Sequence, residues 1–129
     1  MAGEKILVVD DDPFIVNLIV YNLEQEGYNI IQATNGLEAL EKARREKPDL
    51  IVLDIMLPKM DGYKVSRILK FDINYKNIPV LMLTAKAQDV DKQTGMETGA
   101  DVYMTKPFEP EALVKKVRDL LAKRKGEDK

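Results

Sequence analysis

Short continuous apolar runs alternate along the chain with longer stretches in which apolar residues recur every three or four positions. Lys5 to Asp10, reading Lys-Ile-Leu-Val-Val-Asp, has the β-branched-rich pattern of a strand buried on both faces of a parallel sheet. Comparable runs recur at Tyr28 to Ala33, Leu50 to Asp54, Val80 to Thr84 and Val102 to Thr105. Helical patterns fill the intervals. Asp12 and Pro13 predict a helix start, because proline at the first helical position loses no hydrogen bond. The helix that follows carries Ile15, Leu18, Ile19 and Leu23 on one face and stops near Gly27. Asn35 with Glu38 resembles a capping box, followed by an apolar face of Leu37, Leu40 and Ala43 that ends at Pro48.

A third predicted helix, Tyr63 to Phe71, buries Val65, Ile68 and Leu69. A fourth, Gln88 to Thr98, is weakly patterned, with Val90 and Met96 as its large apolar residues. Gly95 inside it lowers helix stability by roughly 1 kcal/mol relative to Ala. A fifth begins at Glu109 and Pro110 and places Leu113, Val114, Val117, Leu120 and Leu121 in one stripe. Lys123 to Lys129 is charged and expected to fray, as a surface end or a linker remnant after a domain spanning 1–122.

Five strand-then-helix units predict an α/β fold with a single doubly wound parallel sheet, because parallel strands need crossover helices and right-handed crossovers cover both faces. Ligands in such sheets bind outside the carboxyl ends of the strands, where strand order reverses. The polar residues that end the apolar runs therefore gather at one edge. Asp10, Asp11 and Asp12 follow the first strand, Asp54 ends the third, Thr84 the fourth, and Lys106 follows the fifth. Asp54 alone could be a turn cap. Its convergence with the other strand ends favours a functional site.

Composition narrows the chemistry. The 129 residues, 45% hydrophobic, suit one domain with one core. A net charge of -2 advertises no phosphate-neutralising surface, so direct nucleic-acid binding by this domain is not expected. No cysteine means no disulfide framework and no thiolate metal site, and no histidine excludes a Ser-His-Asp triad or a histidine metal ligand. Carboxylates, lysines, hydroxyls and backbone remain. The N-terminus fits neither a signal peptide nor a membrane span, and a cytoplasmic location is expected.

Several carboxylates at one edge repel and raise one another's pKa unless a cation lies among them. A hard divalent ion with oxygen ligands, Mg2+, suits a site with few carboxylates and room for water. An ionised carboxylate can also act as a nucleophile and form an aspartyl phosphate. Lys106 and the metal would then neutralise an incoming phosphoryl group, and the Thr84 hydroxyl could hydrogen-bond one of its oxygens.

Val-Val-Asp-Asp-Asp at 8 to 12, Asp-Ile-Met-Leu-Pro-Lys-Met-Asp-Gly at 54 to 62, Leu-Thr-Ala at 83 to 85 and Lys-Pro-Phe at 106 to 108 together resemble the receiver domain of two-component response regulators, of the chemotaxis-regulator type. The resemblance runs from Lys5 to about Ala122. It implies a flavodoxin-like (βα)5 fold with five helices and strand order 2-1-3-4-5. It also implies that Asp54 is the phosphoacceptor, Asp11 the principal acidic metal ligand with Asp10 beside it, directly or through water, and Met56 a ligand through its backbone carbonyl. Thr84 and Lys106 would bind the phosphoryl group, the Lys106–Pro107 bond would be cis, and Tyr103 would be the switch aromatic that turns inward when Thr84 moves to the phosphate.

The donor implied is a histidine kinase or phosphotransfer protein. The output is a change in the surface of the fourth helix, fifth strand and fifth helix. Such a chain is a switch rather than an enzyme, catalysing only its own phosphorylation and slow dephosphorylation. It is a stand-alone regulator or a receiver cut from a longer one, with an unnamed downstream target. Two features depart from receivers that dimerise through the switch surface: Val102 stands where they carry a second acid, and Thr94 where they carry a basic residue. Met56 and Lys86 occupy positions where the family varies its dephosphorylation rate, and a bulky Met56 is expected to slow hydrolysis by screening water.

Plainer roles compete at each position. Asp12 and Asp61 are expected to cap helices rather than join the site, Asp101 to be a loop residue, Lys106 could be a solvated lysine, and Tyr103 could be a half-buried strand aromatic. A metal-dependent aspartyl-phosphate phosphohydrolase is an alternative. It usually needs a second acid two residues after the nucleophile, where Met56 stands, and a substrate-covering cap. A flavodoxin-like cofactor binder is disfavoured by an Asp-rich first loop that repels anionic ligands.

Overall fold

The five apolar runs form strands: β1 (Lys5–Val9), β2 (Asn29–Ala33), β3 (Leu50–Asp54), β4 (Val80–Thr84) and β5 (Val102–Thr105). They pair in parallel in the order β2-β1-β3-β4-β5, as expected. The structure is a computed structural model that describes residues 3–85 and 100–127. Its helices are α1 (Pro13–Gln25), α2 (Gly36–Glu46), α3 (Gly62–Lys70) and α4 (Pro110–Glu127). The predicted helix Gln88 to Thr98, with Lys86 and Thr94, lies outside the described residues. The final helix continues to Glu127, past the expected frayed start at Lys123.

β3 and β4 are buried along their whole length, which is why their sequences show no alternation. Alternate residues serve different faces. Leu7, Val9, Ile51, Leu53 and Met82 pack with Ala39, Leu40 and Ala43 of α2 and Val65 and Leu69 of α3. Ile6, Val8, Val52, Leu81 and Leu83 pack with Ile19 and Leu23 of α1 and with Leu113, Val117 and Leu121 of α4. The α4 stripe matches the sequence pattern in full. Elsewhere the inward faces are rotated: Val16 is buried in α1 while Ile15 and Leu18 are half-buried, and Ala39 is buried in α2 while Leu37 is exposed. In α3, Ser66 is buried and Ile68 half-buried.

Local chemistry sets the helix ends. Phe14 N–H donates to Asp12 Oδ1 at 2.9 Å, Glu38 N–H to Asn35 Oδ1 at 2.8 Å and Lys64 N–H to Asp61 Oδ1 at 2.9 Å, so all three side chains are N-caps. The Glu38 carboxylate reaches back to Thr34 N–H at 2.8 Å, one residue before the cap that a capping box would satisfy. That bond lowers the Glu38 pKa against the opposing effect of burial, with help from Lys42. α1 ends into Gly27, whose φ of 91° is the left-handed geometry glycine accepts.

Asp101 is more than the loop residue expected of it. Its Oδ2 accepts from Val80 N–H at 2.8 Å and pairs with Lys70 Nζ at 2.9 Å, and Lys70 Nζ also donates to Ile78 O at 2.7 Å. One carboxylate thus ties the starts of β4 and β5 to the end of α3. Asp101→Ala leaves a buried strand N–H without that acceptor and is expected to cost about 2 kcal/mol. A urea titration checks this, and an unchanged midpoint would refute the pinning role.

Candidate functional site

β1 lies between β2 and β3, so successive connections leave it in opposite directions and a crevice opens at its carboxyl end. The register places Val9 opposite Leu53, Asp54 opposite Leu83 and Thr84 opposite Thr105. The strand ends are therefore level, and the residues just beyond them meet. Carboxylate oxygens of Asp10, Asp11 and Asp54 all lie within 4.8 Å of one another. Asp10 is 1% exposed, Asp54 4% and Thr84 1%, while Asp11 is exposed.

Lys106 closes the group. Its Nζ lies 3.0 Å from Asp10 Oδ2 and 3.2 Å from Asp54 Oδ1. Its N–H donates to Thr84 O at 2.7 Å, extending the β4–β5 ladder by one residue and fixing its backbone beside the crevice; the Lys106–Pro107 bond is cis, as expected. The solvated-lysine reading fails on this geometry. Asp12 N–H donates to Asp10 Oδ1 at 3.0 Å, which orients that carboxylate.

The electrostatics follow from burial. Desolvation raises the Asp54 pKa, the neighbouring Asp10 charge raises it further, and Lys106 and the Met56 backbone N–H oppose the shift. Burial works against the Lys106 charge, but the hydrogen bond to Asp10 and the charges of Asp54 and Asp10 outweigh it and leave its pKa raised. Among the described residues, Lys106 is the ammonium paired with Asp10 and Asp54, and Asp11 adds a third carboxylate to a group of oxygen donors. This donor set fits a hard divalent cation such as Mg2+, and Asp11, on the exposed side, leaves room for waters.

Of the other expected site residues, Met56 is 73% exposed and its backbone N–H meets the Asp54 carboxylate. Asp12 and Asp61 serve as caps, outside the acidic group. Tyr103 is half-buried and packs against the α2 and α3 face of the core. It pairs with Met82, two residues before Thr84, and a strand's period of two puts Tyr103 on the same sheet face as the Thr84 side chain. A groove of about 470 Å3 lined by Lys70, Lys76, Asp101 and Lys116 contains none of these residues.

One contribution escaped sequence reading. Gly36, at the start of α2, touches the backbone of Met60 in the loop that follows Asp54. The Asn-Gly pair is visible in the sequence, but nothing there says what the glycine faces.

Residues 6–118 match the family model described as the response regulator receiver domain. The chain is 54% identical over 119 residues to the alkaline phosphatase synthesis transcriptional regulatory protein PhoP of Bacillus subtilis, covering 92% of this chain and 49% of that protein. It is 49% identical over 117 residues to the DNA-binding dual master transcriptional regulator RpaA of Synechocystis, covering 91% and 48%. The chain thus spans about half the length of these relatives. Among solved structures, the chemotaxis response regulator CheY4 of Vibrio cholerae superposes with a TM-score of 0.86 at 34% identity, covering 92% of this chain and 99% of that one. The receiver domain of the sensor histidine kinase PA1611 from Pseudomonas aeruginosa, with a magnesium ion coordinated in its active site cleft, gives 0.85 at 30%, covering 94% and 99%. With the sheet order and the acidic crevice, these matches establish that the chain belongs to the response regulator receiver domain family of two-component signalling.

Proposed function

We propose that Asp54 is the phosphoacceptor of this receiver domain and that it takes its phosphoryl group from a histidine kinase or phosphotransfer protein. The observation that carries the reading is a buried carboxylate at the end of β3, 3.2 Å from an ammonium and grouped with two further acids. Asp54 attacks phosphorus, the bond from phosphorus to the donor's imidazole nitrogen breaks, and an acyl phosphate forms. No base is needed, because the carboxylate is the nucleophile in its ionised form. Asp11, Asp54 and the Met56 carbonyl, with Asp10 directly or through water, would hold Mg2+, which when bound supplies positive charge for the phosphoryl oxygens. Lys106 neutralises the acyl phosphate from its position between Asp10 and Asp54, and the Thr84 hydroxyl donates to one of its oxygens.

Movement of Thr84 clears space beside Met82 for Tyr103, and the exposed surface of β5 and α4 changes with it. On this reading the chain is a cytoplasmic switch rather than an enzyme, catalysing only its own phosphorylation and slow dephosphorylation. A phosphohydrolase is not favoured: Met56 takes the place of its second acid, and residues 6–118 match the receiver domain.

Incubation with a small-molecule phosphodonor and Mg2+, followed by intact mass, is expected to show one phosphoryl adduct per chain that fails to form in EDTA. Turnover of many donor molecules without an adduct would instead support the hydrolase. With the donor removed, the adduct is expected to last minutes or longer, because a bulky apolar Met56, two residues beyond Asp54, screens attacking water. Loss within seconds would refute that screening role.

A further inference from the structure

The loop that joins β3 to α3 carries Met56, whose carbonyl is assigned to the cation, and its backbone is held from both sides by glycines. A Cβ on Gly62 would run into Asp54 O and lie 2.9 Å from Ile55 Cα, and Gly62 N–H donates to Ile55 O at 2.9 Å. This contact closes the loop on its own base. At the far side, a Cβ on Gly36 would run into Met60 O and lie 2.8 Å from Met60 C. Gly36 does not have a positive φ among the described residues, so contact rather than conformation demands glycine there.

The segment against Gly36 is strained. Met60 N–H donates to Pro58 O at 2.7 Å across Lys59, whose φ is 68°. A three-residue turn around a positive φ is rare, and a lysine holds it only where the surroundings fix it. The surroundings here are the first turn of α2: Gly36 N–H reaches Pro58 O at 3.5 Å, and the Gly36 backbone presses on Met60. α2 is itself fixed by its Asn35 and Glu38 caps and by Ala39, Leu40 and Ala43 in the core.

We infer that Gly36 is a positioning residue for the cation site, setting through Met60 the placement of the 55–60 backbone and so of the Met56 carbonyl. This rests on the assignment of that carbonyl to Mg2+. A methyl group at 36 meets backbone rather than a pliable side chain, so the loop or the helix must move by about 1 Å, a displacement that can cost on the order of 10²-fold at a reacting centre. Part of that is absorbed by relaxation, and a tenfold loss of Mg2+ affinity is a reasonable central value.

Mg2+ binding to the intact chain is measured by titration followed through backbone amide shifts, for wild type, Gly36→Ala and Asn35→Ala. Asn35→Ala removes the α2 cap without pushing on Met60, so it reports what destabilising α2 does by itself. Gly36→Ala is expected to weaken Mg2+ roughly tenfold, and Asn35→Ala to lower the thermal midpoint while leaving the affinity within about twofold. Wild-type affinity in Gly36→Ala, or equal weakening in both variants, overturns the inference. If wild type itself binds no Mg2+, the assignment of the cation site fails instead. If Gly36→Ala does not fold, the wild-type titration decides: coupling is reciprocal, so Mg2+ must shift the Gly36 amide, and a Gly36 signal that stays still overturns the inference.

Discussion

Asp54→Asn is expected to take up no phosphoryl group under conditions that load the wild type fully, and to unfold at a higher temperature than the wild type in EDTA. Both outcomes come from one change. Asn keeps the shape of the side chain, and its amide oxygen can still accept from Lys106 and from the Met56 N–H, but it has no ionised oxygen with which to attack phosphorus. The gain in stability comes from removing a charge that burial and Asp10 disfavour. The native pKa of Asp54 is raised above its unfolded value of about 3.9, so between the two values the native state binds more protons. Stability therefore falls as pH rises through that window. At neutral pH the charged Asp54 weakens the fold, and the variant escapes the loss. Below the unfolded value both states carry a neutral side chain there, and the difference disappears. Intact mass and thermal melts across the carboxylate range check this. An adduct retained by the variant would remove Asp54 from its role, and a lower midpoint at neutral pH would overturn the electrostatic account.

Lys106→Met is expected to do the opposite to stability. Asp10 and Asp54 are each 5% exposed or less in their side chains, and among the described residues Lys106 is the cation that meets both. Removing one partner from a buried ion pair leaves uncompensated charge, at a cost of about 3 kcal/mol or on the order of 10 °C in midpoint. Because the Lys106 pKa is raised in the folded protein, its contribution is complete below the unfolded lysine value of about 10.4 and is lost only as pH rises through the higher folded value. The gap between wild type and variant should thus be open at neutral pH. Mg2+ should narrow it by supplying the missing charge. Adduct formation should slow by about 10²-fold, the scale seen when one charge-stabilising donor is deleted. Equal midpoints in EDTA would mean that Lys106 does not stabilise the acidic pair.

The strands were legible because β1, β3 and β4 are covered on both faces and so read as unbroken apolar runs. The N-caps were legible because Asp12 and Asp61 are residue types that accept from helix N–H groups and each directly precedes a predicted helix, a start that Pro13 marks after Asp12. Helix faces were less so. Leu37 and Ile68 carry the stronger apolar signal, yet Ala39 and Ser66 are the buried residues while Leu37 is exposed, because the rotation of each helix against its neighbours is set by the folded packing and not by the local pattern. The acidic crevice could be read from strand ends alone, because strand direction fixes which residues share an edge. Asp101 could not, since its partners Val80 and Lys70 belong to other elements. The same holds for Gly36, whose neighbour Met60 is known only once the chain has folded.

Lys106 spans Asp10 and Asp54 from a fixed point on the backbone, so the cation that offsets their charge is covalently part of the chain. A tethered ligand competes at an effective concentration set by geometry rather than by the amount of protein. Any divalent ion must therefore displace or share with an internal rival that cannot be diluted away. The occupied and empty forms become alternatives of a folded domain, and chelation should empty the crevice without unfolding the chain.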